Sequence, residues 1–371
     1  MPGIGEFWIV TGYDEVLALL TDDRLRAEHQ SDESTPAPAA DTDNPVAHTL
    51  LAVDPPDHTR LRRLVTRAFR VRRIAALRPR IQQLTGELLD TITPAGEGDL
   101  VADLAVPLTI GMICELLGVP AVNRADFRRW SVAGVLPPAP PEILRLAEEA
   151  QKKLTGYFRD LIEQKRADPQ DDLLSDLACA GSGDNALSDT ELIGMAILLV
   201  IAGHDTTVNL VGTGLMTLLR RPDQLATLRA DPSLLPAAVE ELVRFCGPIG
   251  LGLARFAAGD IEFSGVRIRR GELVMASLAA ANRDPARFDR PAVLNVARNE
   301  LAHLGFGYGI HFCLGAALAR LEATVAIGTV LQRIPDLALA KPAEQLRWRT
   351  TSLRGVAELP VTFAPQPRPQ D

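Results

Sequence analysis

Phe306-Gly307-Tyr308-Gly309-Ile310-His311-Phe312-Cys313-Leu314-Gly315 is a glycine-rich loop that runs directly into a helical pattern, Ala316 to Thr324, so Cys313 stands at the mouth of a helix. Unpaired backbone N–H groups and the helix dipole at such a place favour a thiolate. The glycines let the backbone bend around the sulfur and let a large group approach it closely. A cysteine presented in this way reads as a nucleophile or a metal ligand, whereas most buried cysteines behave as small inert hydrophobes. Zinc held by His303, His311 and Cys313 is conceivable, but no fourth ligand is spaced to close a tetrahedral site.

Upstream of that loop, Ser188 and Glu191 match a capping box, and Asp189 places negative charge in the first turn of a long apolar run. The run continues to Arg220, where Arg221-Pro222 stops it. Some 30 residues at 1.5 Å each make a rod of about 45 Å. Its middle is apolar on nearly every face, which places it in the core. Ala202-Gly203-His204-Asp205-Thr206-Thr207 interrupts that middle with two small residues, two titratable groups and two hydroxyls. Such a break in a well-patterned element marks a candidate functional site.

Two charged features follow. Glu241 and Arg244 lie three residues apart late in a helix ended by Gly247-Pro248, on one helical face, and Glu240 competes for Arg244 at four residues. From His58 to Arg80 the chain carries Arg60, Arg62, Arg63, Arg67, Arg70, Arg72, Arg73, Arg78 and Arg80 with no intervening acid. That local positive field suits an acidic partner or anionic ligand groups. Of aromatic residues only Phe69 falls among these arginines, which disfavours stacking on nucleic-acid bases.

The chain has 371 residues, 47% hydrophobic and 23% charged, which excludes wholesale disorder. A net charge of −8 argues against a generally basic nucleic-acid binder. Cys114, Cys179, Cys246 and Cys313 lie far apart with no CxxC pair, so neither a disulfide framework nor a four-cysteine zinc site is expected. Met1 to Gly5 shows no basic segment leading into an apolar run, and the longest apolar stretch, Leu192 to Gly203, is well short of the ~20 residues a bilayer requires. A cytoplasmic protein with free thiols and no membrane contact is the expectation.

Helical spacing dominates over Tyr13–Leu20, Ala75–Thr91, Leu108–Leu117, Glu142–Lys165, Asp189–Arg220 and Ala237–Phe245. Strand material is sparse: Trp8–Thr11, Ile261–Phe263, Val266–Ile268, Leu273–Ser277 and Leu359–Phe363, with turns at Ser264-Gly265 and Arg270-Gly271. Ser31–Asn44 and Leu136–Pro141 read as loops, and neither separates regions of different composition. A mainly α protein with small β-sheets, folded as a single domain over residues 1–371, is expected.

Taken in order and spacing, these features resemble a bacterial cytochrome P450. That family's heme-binding loop reads Phe-Gly-x-Gly-x-His-x-Cys-x-Gly, and residues 306–315 match at every fixed position. Ala202–Thr206 matches the Ala-Gly-x-(Asp/Glu)-Thr of its central helix, and Glu241 with Arg244 matches its Glu-x-x-Arg pair, which decides against Glu240. Asp54-Pro55-Pro56-Asp57-His58-Thr59-Arg60, Ala281–Pro285 and Leu318–Glu322 are similar to further family segments, so the likeness runs from about Trp8 to Phe363. The resemblance implies a triangular helical core around heme b with the long helix through its centre. It makes Cys313 the axial thiolate. It places His58, Arg62, Arg255 and His311 at the heme propionates, and Glu241, Arg244 and Arg298 in a buried structural network. Asp205 and Thr206 take the place from which the family delivers protons during O2 activation, with Gly203 leaving room for O2. Ile201, Ala202, Ile249, Gly250 and Leu251 correspond to the substrate pocket.

The implied activity is insertion of one oxygen atom of O2 into a hydrophobic small molecule, by hydroxylation or epoxidation, in bacterial secondary metabolism. Electrons come from outside, since no flavin or dinucleotide motif is present; an acidic ferredoxin, with its reductase, docking on the arginine-rich face is the expected donor. Oxidative coupling by a heme-thiolate enzyme and a non-catalytic heme protein are the competing readings, and the Asp205-Thr206 pair counts against the second. The chain departs from the family at its start, where the helix and Pro-rich segment that usually precede the strand at Trp8 are largely missing. Prolines in Leu136–Pro141 point to an open loop over the substrate side.

Overall fold

Helices take up most of the structure, as the three- and four-residue spacing of apolar side chains dictates. The computed structural model describes residues 6–27, 44–69, 71–120, 123–130, 141–180, 186–299, 302–349 and 353–367. The expected loop at 31–44, except Asn44, and the proline-rich residues 136–140 lie outside the described residues, as do Met1–Gly5 and Arg70. In chain order the helices are α1 (Tyr13–Leu19), α2 (Asp57–Ala68), α3 (Val71–Ala76), α4 (Arg78–Ile92), α5 (Val106–Leu116), α6 (Arg124–Trp130) and α7 (Pro141–Ala167). They continue with α8 (Leu173–Ala178), α9 (Asp189–Leu219), α10 (Pro222–Ala230), α11 (Leu235–Cys246), α12 (Leu278–Ala281) and α13 (Ala316–Arg333).

The expected capping box is present at the start of α9. The Glu191 N–H donates to the Ser188 hydroxyl at 3.2 Å, and the Ser188 N–H donates to the Glu191 carboxylate at 2.8 Å. By length and composition this helix could cross a membrane, but most of its apolar window is buried inside the protein, where α5, α7, α11 and α13 pack on it. Ala75–Thr91 is not one helix, as its spacing suggested, but two, divided at Leu77. Pro79 is the reason: it has no N–H to donate and its ring would clash with a carbonyl one turn back, so it suits only the first turn of α4.

The strands are β1 (Trp8–Val10), β2 (Leu25–Arg26), β3 (Glu97–Asp99), β4 (Arg255–Ala257), β5 (Ile261–Phe263), β6 (Val266–Ile268), β7 (Leu273–Ala276), β8 (Ala338–Leu339) and β9 (Pro360–Thr362). One sheet has the order β1-β7-β4-β2, with β1 parallel to β7 in the register Trp8 opposite Val274 and the other pairs antiparallel. A second has the order β3-β9-β8, and β5-β6 form a hairpin closed by Ser264-Gly265. The main core draws on Leu104, Leu108 and Met112 of this region together with Leu210, Leu242, Val330 and Val361. A smaller cluster under the four-stranded sheet joins Val16 of α1 to Val274 of β7 and to Phe288.

Candidate functional site

Gly307 and Gly309 both hold φ at +70°, a left-handed conformation that side-chain-bearing residues avoid, and this folds the loop back on itself. The Cys313 N–H then donates to the Phe306 carbonyl at 2.9 Å, and α13 begins three residues later. Cys313 is half-buried. Burial pushes its thiol up, against the pull of the Gly315 N–H, Arg62 and Arg320. The pull of the backbone N–H toward a thiolate is present, as the helix mouth implies, but in the protein by itself desolvation outweighs it. A bound metal cation reverses that balance, since a coordinating thiol is deprotonated outright.

Four nitrogen-bearing side chains converge beside the loop. Arg62 of α2 donates to the Phe312 carbonyl at 2.6 Å. The His58 and His311 rings lie 4.4 Å apart, and Arg255 of β4 and Arg62 act electrostatically on both. Burial, then Arg62 and Arg255, push the His58 imidazole down; burial, Arg255 and His58 push His311 down to about 4. Both rings are thus neutral at pH 7, and the two arginines supply the positive charge. His58 is only 1% exposed, and its Nε2, like the Nδ1 of His311, is buried without a hydrogen-bond partner. Orphaned buried ring nitrogens between two desolvated guanidinium groups form a cradle for carboxylates, which is what the two propionates of a heme present. The residues present fit that group.

The zinc alternative does not form. His303 directs Nε2 at Glu240, 3.0 Å away, and its Nδ1 accepts from the Gly305 N–H at 3.1 Å, so both ring nitrogens are engaged.

On α9 the polar interruption is a local opening. Ala202 is exposed and Ile201, Gly203, Asp205 and Thr206 are half-buried, within a helix whose next turns are buried throughout. The Thr206 hydroxyl donates to the Ala202 carbonyl at 2.6 Å, the back-bond open to any helical threonine, which leaves its oxygen lone pairs as acceptors. Asp205 accepts from Arg349 at 2.9 Å. His204 is buried and shares a 2.7 Å hydrogen bond with Thr109 of α5. A Cβ on Gly203 would come within 3.2 Å of the Cδ1 of Ile113, the tip of a side chain on α5.

The segment after α11 carries the other expected pocket residues. Ile249 and Leu251 make single bridges to Leu353 and Ser277, and a Cβ on Gly250 would meet nothing within 4 Å. Arg349 was not legible as a site residue, because nothing in the spacing links it to an acid 144 positions away.

Glu241 and Arg244 are 1% and 2% exposed and make a two-point ion pair at 2.7 and 2.8 Å. Arg298 joins at 3.1 Å, the Asn295 N–H donates to Glu241 at 2.9 Å, and Arg244 also donates to the carbonyls of Asn282 and Pro291. Glu240 belongs to a separate cluster, accepting from Arg320 at 2.6 and 2.8 Å as well as from His303.

The basic run divides in space. Arg60 pairs with Glu191, Arg73 with Asp171 and Asp176, and Arg80 with Glu115, while Arg63 and Arg67 are exposed on α2. A cleft of about 600 Å³ runs along α2 past His58, Arg62, Arg63 and Arg67 to Ile310 of the glycine-rich loop.

Residues 121–335 match the family model described as Cytochrome P450. The chain is 43% identical over 366 residues to cytochrome P450 monooxygenase PikC of Streptomyces venezuelae, covering 98% of this chain and 86% of that one. It is 42% identical over 362 residues to the mycinamicin IV hydroxylase/epoxidase of Micromonospora griseorubida, covering 96% of this chain and 90% of that one. The solved structure of cytochrome P450 PksS from the Bacillus subtilis bacillaene polyketide synthase superposes with a TM-score of 0.90 at 38% identity, over 96% of this chain and 90% of its own. With a glycine-folded cysteine loop, a carboxylate cradle beside it and a central helix opened at an acid and an alcohol, the chain belongs to the cytochrome P450 family of heme b monooxygenases.

Proposed function

We propose that Cys313 would hold the iron of heme b in this monooxygenase, and that Asp205 and Thr206 would move protons for it. Heme b, when bound, supplies reductive O2 activation and oxygen-atom transfer, and the protein supplies seat, orientation and protons. Arg62 and Arg255 give charge to the propionates, and His58 and His311 give them hydrogen bonds. The observation that carries this reading is the pair of partnerless buried nitrogens, His58 Nε2 and His311 Nδ1, beside the cysteine loop. Carboxylates arriving there raise both imidazole pKa values and so add charge to the contact. The Thr206 oxygen accepts a hydrogen bond while its own hydrogen rests on the Ala202 carbonyl, so it can hold a proton donor in place, and half-buried Asp205, the next residue back, is the acid of the relay.

The substrate in this reading is a hydrophobic small molecule of bacterial secondary metabolism, hydroxylated or epoxidised. Support comes from the relatives' named activities and from the apolar set Ile201, Ala202, Ile249, Gly250 and Leu251. The electron donor is a ferredoxin served by its reductase, supported by exposed Arg63 and Arg67 beside exposed Tyr308, Ile310 and Phe312. Residues 1–371 act as one domain, a reading supported by a main core that draws on residues from Leu50 to Phe363.

The test is a spin-state titration of the purified protein with a library of hydrophobic natural products. Turnover of each hit follows, with ferredoxin, ferredoxin reductase and NADH under 18O2. A product carrying one 18O atom is expected. NADH consumption with no oxygenated product from any binder would overturn the assignment.

A further inference from the structure

Asp205 is not left to solvent. Arg349 Nη1 donates to its Oδ1 at 2.9 Å, and His204 Nε2 stands 3.9 Å from the same oxygen. Arg349 lies at a C-terminal turn whose described flanks, 348–349 and 353–356, are held by their backbone: the Arg349 N–H donates to the Gly355 carbonyl at 2.8 Å, and Trp348 bridges Val356. That turn rests on α9 along one stripe, because Asp205, Asn209 and Thr213 recur every four residues on the same helical face. Asn209 packs against the backbone at Gly355, close enough that a Cβ there would lie 2.0 Å from its Oδ1. The Thr213 hydroxyl accepts from the Val356 N–H at 3.4 Å. The other side of the turn reaches the proposed substrate segment. Leu353 bridges Ile249, and the Arg354 N–H donates to the Pro248 carbonyl at 2.8 Å.

We propose that Arg349 is the positioning residue of the proton-relay acid: its guanidinium fixes the Asp205 carboxylate on a backbone turn that is also bonded to the substrate-contacting segment. The inference rests on the relay reading of Asp205. A hydrogen bond from a charged donor holds a carboxylate in one orientation more strongly than a neutral one does. An acid that must hand on a proton within a catalytic cycle gains from that fixed geometry. The arginine's guanidinium donates to the Asp205 carboxylate, and the role assigned to it passes through that carboxylate. The turn's contact with Pro248 and Ile249 means that displacement of that segment reaches Arg349 through backbone hydrogen bonds.

The test uses the heme-loaded, full-length protein with a binder from the spin-state screen. Arg349→Gln is expected to leave the substrate-induced spin-state shift intact. It should lower product formed per NADH roughly three- to tenfold, the scale of one lost hydrogen bond of ordinary net strength at a partly exposed pair, and raise the solvent deuterium isotope effect on kcat. Arg349→Lys should restore most of the coupling. Asp205→Asn should show the same defects, and the double variant should be no worse than Asp205→Asn in coupling and non-additive in melting temperature, since the two side chains act as a unit. If Arg349→Gln couples like the parent while Asp205→Asn does not, the positioning role is overturned and the relay stands. If Asp205→Asn is itself silent, the relay reading falls and takes the positioning role with it. Additive losses in the double variant would equally overturn it.

Discussion

At the scale of single residues, Cys313 carries the most. Its thiol is pushed up by burial against the pull of Gly315, Arg62 and Arg320, so in the proposed role a bound metal cation would have to create the thiolate. Cys313→Ser removes a sulfur that no neighbour replaces. The variant should lose the red-shifted absorption band of the reduced carbon monoxide complex, even if some heme is retained in the propionate cradle. The same band at the same wavelength in Cys313→Ser would refute the ligand assignment. Thr206 offers a second test. Its hydroxyl already bonds Ala202, so removing it costs the helix little, and Thr206→Ala should bind heme and substrate normally. It should nevertheless divert a several-fold larger share of NADH electrons to hydrogen peroxide, the outcome of O2 activation with a misdirected proton. Peroxide assay against product yield decides it, and unchanged coupling would remove Thr206 from the relay.

Elements explain why some of this was legible in the sequence and some was not. The long helix α9 was readable to within a residue, because a capping box and an Arg-Pro stop are local signals. The β5-β6 hairpin was readable for the same reason, through its two-residue turn. β2 and β8, two residues each, carry no alternation to detect, and they exist only because a partner strand lies beside them. The site shows the same division. Cys313, His58 and Arg62 sit in motifs, whereas Arg349 meets Asp205 only through tertiary structure. The sequence alone left Glu240 and Glu241 in competition for Arg244; the family pattern chose Glu241, and the fold sends Glu240 to Arg320 and His303. Burial pushes the Glu240 carboxyl up, but the hydrogen bonds and charges of His303 and Arg320 outweigh it and bring the group down to about 2. A depressed folded-state value contributes stability fully above the unfolded value of 4.5 and loses it as pH falls toward about 2. The melting-temperature gap between the parent protein and Glu240→Gln should therefore be largest above pH 5 and close steadily below pH 4.5. A gap constant across that window would mean that the ion cluster contributes nothing. Glu241 is sealed from solvent. Glu241→Ala leaves two buried guanidinium groups uncompensated, a loss of about 3–5 kcal/mol, measurable as reduced heme-loaded yield and a lower denaturant midpoint.

For the whole molecule, the net charge of −8 contrasts with a local excess of arginine on α2, and the proposed docking of an electron donor there can be tested. Arg60, Arg73 and Arg80 pair with acids of the fold and Arg62 bonds the cysteine loop; Arg63 and Arg67 are exposed along the cleft that ends at Ile310. Tyr308, Ile310 and Phe312 are 47%, 50% and 40% exposed in the same loop, so the face combines apolar contact with a positive rim. A positive rim governs association rate and salt dependence more than contact energy. Arg63→Gln and Arg67→Gln together should weaken ferredoxin binding several-fold at low ionic strength. The difference should vanish near 1 M salt, where the screening length falls to about 3 Å. Arg60→Gln should leave the salt dependence unchanged and instead lower stability, through loss of its pair with Glu191 near the start of α9. Stopped-flow reduction across a salt series separates these outcomes. If the Arg63 and Arg67 variant keeps the parent's salt slope, the donor docks elsewhere, because no pair of exposed charges on a true docking face can be removed without changing the slope.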